Sequence, residues 1–129
     1  MKQDTISIRV RYDECDPMGF LHHSKYLPYF EMGRTELFRK SGGRYRDLEK
    51  SGLLVVVVRM DCRYRAPARY DDLLTVTTRI TKTTAVKIFH EYEVRREDEL
   101  LVSATVTLAV IDRDGRVQRV PEALAINHE

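Results

Sequence analysis

The sequence has no hydrophobic stretch long enough to span a membrane. Its longest uninterrupted apolar run covers residues 53–58, whereas a helix that crosses a bilayer needs about 20 such residues. The first ten residues, MKQDTISIRV, also lack the apolar core of an export signal. We therefore expect no membrane span, and we expect the protein to be cytoplasmic.

The sequence also lacks an excess of charge of either sign. Lysine and arginine together number 22 against 20 aspartates and glutamates, which leaves a formal net charge of +2. A nucleic-acid-binding domain usually carries a concentrated basic patch. Nucleic acid is therefore not an expected partner.

Cysteine is scarce, and its placement does not suggest a metal site. Cys15 and Cys62 form no CxxC motif and do not cluster with histidine, although structural zinc sites require such spacing. In a reducing compartment the two cysteines are expected to be free thiols. We predict no metal and no other cofactor.

The length and composition are typical of one folded domain. The chain has 129 residues, of which 43% are hydrophobic and 33% are charged, and a chain of this size buries a single core. No internal repeat, low-complexity tract or linker interrupts it. We therefore interpret residues 1–129 as a single domain.

Apolar and polar residues alternate in several stretches, which is the period of half-buried β-strands. One further run is continuously apolar at first and alternates only later, as expected of a strand that is buried at one end and reaches solvent at the other. An Asp114-Gly115 pair is typical of a hairpin turn. The alternating stretches and the mixed run predict strands at residues 5–12, 53–64, 74–80, 86–94 and 100–110.

A single long segment, residues 24–41, has the period of an amphipathic helix. Ser24 is its expected N-cap, and the pair Gly42-Gly43 is expected to end it. Gly33 lies within the apolar stripe, where it is expected to let another backbone approach closely. A second, short helix is expected after Pro121.

The order of these elements predicts an α+β fold, because one strand and one long helix precede an antiparallel meander of four or more strands. One helix cannot cover both faces of a sheet of five or six strands. The sheet is therefore expected to curve around the helix and to leave a face or an edge for a partner subunit. We expect a homodimer, or a homotetramer built from dimers.

Two stretches of the sequence resemble the hot-dog-fold thioesterases of the 4-hydroxybenzoyl-CoA and YbgC-like acyl-CoA type. Residues 9–42, RVRYDECDPMGFLHHSKYLPYFEMGRTELFRKSG, contain an Arg/Tyr-rich first strand, an Asp three residues before a Gly, and a His seven residues after that Asp. A helix that begins with aromatic residues follows. Residues 63–76, RYRAPARYDDLLTV, resemble the second family signature. The resemblance covers nearly the whole chain and implies the hot-dog fold, in which a curved antiparallel sheet of five to six strands wraps a long helix.

The resemblance implies that the chain hydrolyses acyl-CoA thioesters with Asp16 as the catalytic carboxylate. Asp16 would act either as a nucleophile on the thioester carbonyl or as a general base on water. A thioester has a good leaving group, so one well-placed carboxylate and a stabilised oxyanion can suffice. Pro17 and Gly19 favour the extended backbone and tight turn that would aim this carboxylate. Taken alone, an Asp-Pro pair is most often only a turn.

The resemblance also places His23 at the entrance of the helix, with its backbone N–H facing the thioester oxygen. Unpaired N–H groups and the positive end of the helix dipole converge at a helix N-terminus, where they can polarise a carbonyl. The His23 imidazole could in addition orient water or substrate. Alternatively, His23 is a helix-entry residue whose side chain takes no part in the chemistry.

Further residues are candidates for binding the substrate. Arginine pairs with phosphate through two parallel hydrogen bonds. A cluster of arginines is therefore the candidate site for the coenzyme A phosphates. Taken singly, each of these arginines is more simply interpreted as an ordinary solvated charge. Gly19 and Tyr26 are expected to bind the substrate; Tyr26 could line an acyl pocket, although an aromatic stripe at helical spacing is more often core packing. The members of the arginine cluster are Arg59, Arg63, Arg65 and Arg69.

Three alternatives to acyl-CoA hydrolysis remain at this point. The same fold could release acyl or polyketide chains from an acyl carrier protein, or serve as a non-catalytic acyl-CoA-binding oligomer. A dehydratase is the third alternative and the one we rank last, because such enzymes usually show a different His-bearing helix. Retention of Asp16, Gly19 and His23 together favours a hydrolase over a binding module.

Overall fold

The computed structural model describes residues 2–125 of the chain. Within these residues the alternating and helical patterns of the sequence become one layer of strands packed against one long helix. The elements, in chain order, are β1 Gln3–Arg9, α1 Tyr26–Lys40, α2 Tyr45–Lys50, β2 Leu54–Tyr64, β3 Leu73–Thr83, β4 Lys87–Arg96, β5 Glu99–Ile111 and β6 Val117–Gln118.

The six strands of the described region form one open antiparallel sheet in the order β1-β3-β4-β5-β2, and β6 pairs with β5. The strands β3, β4, β5 and β6 follow one another as the predicted meander, but β2 was wrongly expected to precede β3 in it. Instead β2 pairs with β5, at the other side of the sheet. The reason is that β1 and β4 occupy both edges of β3, so β5 offers the free edge.

The apolar run of β2 is less buried than predicted: residues 53–56 are half-buried, with Leu53 and Val55 packed against the core, and the two valines that follow are exposed. Val57 is 45% exposed and Val58 is 52% exposed. The register with β5 shifts between Val57 and Arg59, which is the mark of a β-bulge. Because β2 ends the strand order of the sheet, one of its edges is open. An apolar edge strand of this kind is a template for pairing with another chain.

The core lies between α1 and the inner face of the sheet. It is formed by buried residues that alternate along β3, β4 and β5, as predicted, and by the apolar stripe of α1. Gly33 of that stripe faces Thr78 of β3 so closely that a Cβ at Gly33 would overlap the Thr78 Oγ1. The predicted close approach of helix and sheet at Gly33 is therefore confirmed.

The ends of the elements differ from the prediction in three places. Strand β1 ends at Arg9, because the Arg11 N–H donates to Oε1 of Glu14 and begins a 3₁₀ turn, Tyr12–Glu14. Ser24 is not the cap: it lies in a 3₁₀ turn, His23–Lys25, in which Nδ1 of the His22 ring accepts the Ser24 N–H. The short helix α2 was missed, since six residues are too few for a periodic signal.

The predicted helix end and the predicted helical turn after Pro121 are both present. Helix α1 ends just before Gly42, which has a φ of +93°, and a 3₁₀ turn, Glu122–Leu124, follows Pro121. Both cysteines are free. Among residues 2–125, no helix combines the length and the apolar character needed to cross a membrane.

Candidate active site

A tight loop between β1 and α1 carries Asp16. The Asp16 N–H donates to the Phe20 carbonyl at 2.8 Å, and the Gly19 N–H donates to the Asp16 carbonyl at 2.9 Å. Gly19 has a φ of +86°, which a residue with a Cβ rarely adopts. The turn predicted from Pro17 and Gly19 is therefore present, and the loop closes on itself.

The two oxygens of the Asp16 carboxylate have different surroundings. Oδ1 accepts the backbone N–H of Met18 at 2.9 Å and that of Phe20 at 3.1 Å. Within residues 2–125, Oδ2 accepts no hydrogen bond. One oxygen is thus fixed by the loop, and the other is left for a substrate or a water molecule.

Glu14 fastens the same loop to helix α1, a role that the sequence analysis missed. Its side chain is buried, with 6% of the residue exposed. Oε1 accepts the Arg11 N–H at 2.8 Å and the Tyr29 hydroxyl at 2.8 Å, and the Glu14 carbonyl accepts the His22 N–H at 3.0 Å. Burial acts to raise the pKa of Glu14, but the hydrogen bonds from Arg11 and Tyr29 outweigh it and hold the pKa below its ordinary value. Glu14 is therefore a buried carboxylate that stays ionised at neutral pH.

His23 lies at the entrance of helix α1, as predicted. Its ring is exposed and stacks on His22 with 4.2 Å between ring centroids, and its carbonyl accepts the Tyr64 hydroxyl at 3.1 Å. In the described part of the chain the His23 N–H donates no hydrogen bond to another backbone carbonyl. His23 thus brings a free N–H group to the start of the helix.

Asp16 and His23 line the same cleft, which has a volume of about 370 Å³. Tyr26 and Tyr64 form one wall, with 5.6 Å between their ring centroids. Burial raises the pKa of Tyr26 to about 12, so its hydroxyl remains protonated at neutral pH. Arg65, just beyond the end of β2, supplies the positive charge of the lining.

The four arginines predicted to bind phosphate do not form one cluster. Arg65 lines the cleft of Asp16, and the Arg69 guanidinium lies 5.2 Å from the centroid of the Phe20 ring, which lines the same cleft. Arg59 and Arg63 belong to β2 and line depressions elsewhere on the sheet, where Arg59 pairs with Asp61 at 3.1 Å. The structure therefore brings Arg65 and Arg69 near Asp16 and leaves Arg59 and Arg63 apart from it.

Asp16 also lines a second cleft, of about 440 Å³. Its other lining residues come from the same loop and from the turn that precedes β3. Asp16 therefore stands at the boundary between the two clefts. The other residues that line the second cleft are Tyr12, Cys15, Pro17, Gly19 and Tyr70.

The sequence model of a family described as the thioesterase superfamily matches residues 18–103, more than half of the chain. The chain belongs to the thioesterase superfamily. Asp16 lies just before the matched region, whereas Gly19, His23 and the start of α1 lie within it.

Three individual proteins illustrate the similarity. The acyl-CoA thioester hydrolase YbgC of Escherichia coli O6:H1 is 33% identical over 106 residues, which cover 81% of this chain and 79% of that protein. A DHNA-CoA thioesterase from Staphylococcus aureus has 28% identity and a TM-score of 0.89 over 92% of this chain and 81% of that chain. A 4-hydroxybenzoyl CoA thioesterase has 22% identity and a TM-score of 0.87 over 95% of each chain, which shows a common fold. The predicted hot-dog fold is thereby confirmed.

Within residues 2–125, no group of three or more His, Cys, Asp or Glu side chains is arranged to hold a metal ion. Three groups that can interact with a substrate meet at the two clefts: the Asp16 carboxylate, the Arg65 guanidinium and the free N–H of His23 before α1. The carboxylate can attack a carbonyl carbon or activate a water molecule to do so. The N–H group can stabilise negative charge on the carbonyl oxygen.

Proposed function

We propose that this protein is a thioesterase that hydrolyses acyl-CoA thioesters to the free acid and coenzyme A. The observation that carries the proposal is that Asp16 and His23, the first residue of the 3₁₀ turn that leads into α1, line one cleft. Membership of the thioesterase superfamily and similarity to the acyl-CoA thioester hydrolase YbgC support the choice of substrate class.

In the proposed reaction Asp16 supplies the attack on the thioester carbonyl carbon through its unpaired oxygen, Oδ2. Attack by the carboxylate gives an acyl-enzyme anhydride that water then hydrolyses, whereas general-base action delivers water directly. Both routes break the carbon–sulfur bond, release the thiol and yield the acid. The loop contacts of Oδ1 with Met18 and Phe20 are compatible with both, so the choice between nucleophile and base remains a prediction to be tested.

The helix entrance is the proposed oxyanion site. The His23 N–H is the first donor of the turn that leads into α1 and has no backbone acceptor among the described residues. Unpaired N–H groups at a helix start carry a partial positive charge. A preorganised donor of this kind is worth about 2.7–4 kcal/mol to an acyl-transfer transition state.

The carrier is proposed to enter along the cleft that contains Arg65. Phosphate groups bind preferentially to guanidinium groups, and Arg65 and Arg69 are the two predicted phosphate ligands near Asp16. Arg59 and Arg63 remain candidates for the nucleotide end of the carrier, which extends away from the reacting carbonyl.

A homodimer is the proposed assembly, and pairing of two dimers would give a tetramer. The support is the open edge of β2 with its exposed Val57 and Val58, because an unpaired apolar edge strand favours pairing with a second copy. Light scattering coupled to size-exclusion chromatography measures the mass of the assembly. A monomeric mass at micromolar concentration would contradict this part of the proposal.

A substrate panel tests the proposed function. Free thiol is measured after mixing the protein with acyl-CoAs of different chain lengths and with the matching acyl groups on an acyl carrier protein. We expect faster thiol release from acyl-CoA. Faster release from the carrier protein would instead identify a carrier-protein thioesterase, and saturable binding of acyl-CoA without any release would identify a binding protein.

A further inference from the structure

The second cleft beside Asp16 has no assigned role, yet it is built from chemistry distinct from that of the first. The lining of the first cleft contains Arg65, His23 and two tyrosines, whereas the lining of the second contains Asp16 as its only charged residue. The same carboxylate lines both clefts. A thioester has the same two-part character, with a charged carrier on one side of the reacting carbonyl and an acyl group on the other.

An exposed pair of tyrosines distinguishes the second cleft. Tyr12 is 80% exposed and Tyr70 is 55% exposed. Their rings meet edge to face, with 5.5 Å between centroids and an angle of 82° between planes. A contiguous aromatic surface that a soluble protein leaves open next to a reactive group is typical of a binding site.

The backbones that carry the two rings are held by hydrogen bonds. Tyr12 begins the 3₁₀ turn that is fastened by Glu14. Beside Tyr70, the Asp71 N–H donates to the Val10 carbonyl at 3.0 Å, and Asp71 has a φ of +70° that fixes a tight turn. The pair is therefore presented on two segments that are tied to each other, and little ordering is needed on binding.

We propose that the second cleft binds the acyl group of the thioester and that the Tyr12–Tyr70 pair makes the enzyme favour a planar aromatic acyl group over a linear one. This inference rests on the proposed function and assigns its two clefts: the carrier lies along the cleft with Arg65, the carbonyl lies at Asp16, and the acyl group lies against the tyrosines. An aromatic acyl group gains binding free energy from an edge-to-face or stacked contact with a tyrosine ring, beyond the burial of its area. An alkyl chain of similar area lacks this additional contribution.

The test compares benzoyl-CoA with heptanoyl-CoA, whose acyl groups have the same number of carbon atoms. Tyr12→Leu and Tyr70→Leu remove a ring and keep a smaller apolar side chain, whereas Tyr12→Phe and Tyr70→Phe keep the ring. We expect each Leu variant to lower the ratio of kcat/KM for benzoyl-CoA to that for heptanoyl-CoA by between about twofold and tenfold. The Phe variants are expected to keep the wild-type ratio.

A control variant, Val117→Ala, truncates an exposed side chain on β6, outside both clefts, and is expected to keep the wild-type ratio. An unchanged ratio in both Leu variants, with the wild type active on both substrates, would overturn the inference and leave the proposed function intact. A wild-type protein that releases thiol from neither these substrates nor the wider panel would overturn the proposed function, and the inference with it.

Discussion

The Tyr29 hydroxyl of α1 donates a 2.8 Å hydrogen bond to Oε1 of Glu14, a buried carboxylate two residues before Asp16. The bond joins the loop that carries Asp16 to helix α1, which directly follows the 3₁₀ turn that begins at His23. Because the same Oε1 also accepts the Arg11 N–H, one carboxylate sets where the loop leaves β1 and where it meets the helix. Glu14 and Tyr29 are therefore positioning residues for the candidate active site.

Removal of the Tyr29 hydroxyl should loosen this connection. We expect Tyr29→Phe to lower the free energy of unfolding by about 1.5–3 kcal/mol, the usual value for a hydrogen bond to a charged group, and to lower kcat more than it changes KM. Denaturant titration and steady-state kinetics measure the two effects. Tyr45→Phe is the matched control. The Tyr45 ring packs on the Phe38 ring, with 4.8 Å between the ring centroids, away from Asp16. Equal kinetics in the two variants would show that Tyr29 does not position the loop.

The contribution of Glu14 to stability should depend on pH. Its pKa in the folded protein is held below the ordinary value of 4.5, so the folded state binds the proton less readily than the unfolded state. The stabilisation is therefore complete above about pH 4.5 and is lost as the pH falls toward the lowered pKa. We expect the difference in unfolding free energy between wild type and Glu14→Gln to be largest near neutral pH and to shrink in acid. A difference that grows as the pH falls would contradict the assignment.

Two substitutions at His23 separate its backbone from its ring. His23→Pro removes the backbone N–H. The backbone can accept a proline here, because His22 has the extended ψ of 137° that a following proline needs. We expect kcat to fall by on the order of 10²–10³-fold in His23→Pro and much less in His23→Ala. Steady-state turnover of an acyl-CoA measures both. A loss in His23→Ala as large as that in the proline variant would implicate the imidazole instead.

The contact between Gly33 and Thr78 predicts a coupled pair. Gly33→Ala adds a Cβ that overlaps the Thr78 Oγ1, and we expect it to cost about 1–3 kcal/mol of stability, as overpacking does. Thr78→Ala removes the overlapping atom and should restore most of that loss in the double variant. Thermal or denaturant unfolding of the four proteins gives the coupling energy. Additive effects would mean that the helix shifts instead of clashing.

The strands of the meander were predictable from sequence because each has one buried face. In β3 the residues at positions 74, 76, 78 and 80 are buried in turn, and the alternation is visible without any tertiary information. The helix, its end at Gly42 and the loop of Asp16 were also predictable, since they depend on local period and turn chemistry.

Pairing and long-range contacts were not predictable in the same way. The valines of β2 read as buried, but hydrophobicity alone does not distinguish a strand covered by its own chain from an edge strand. Glu14 reads as one of several acidic loop residues, because nothing local indicates the Tyr29 hydroxyl that reaches it from α1. Arg59, Arg63 and Arg65 alternate in the sequence as if they shared one face of a strand. Because β2 ends at Tyr64, only Arg59 and Arg63 lie on that face, and Arg65 lies beyond the strand.

The most direct test of the central claim is the turnover of Asp16→Asn with an acyl-CoA that the wild type hydrolyses. An asparagine side-chain oxygen can still accept the N–H groups of Met18 and Phe20, so the loop should keep its fold. Asp13→Asn, an exposed acid of the same loop, is the matched control. We predict that kcat falls by on the order of 10²–10⁴-fold in Asp16→Asn and stays near wild type in the control, with equal melting temperatures. Near-normal turnover by a folded Asp16→Asn variant would contradict the assignment of Asp16 as the catalytic carboxylate.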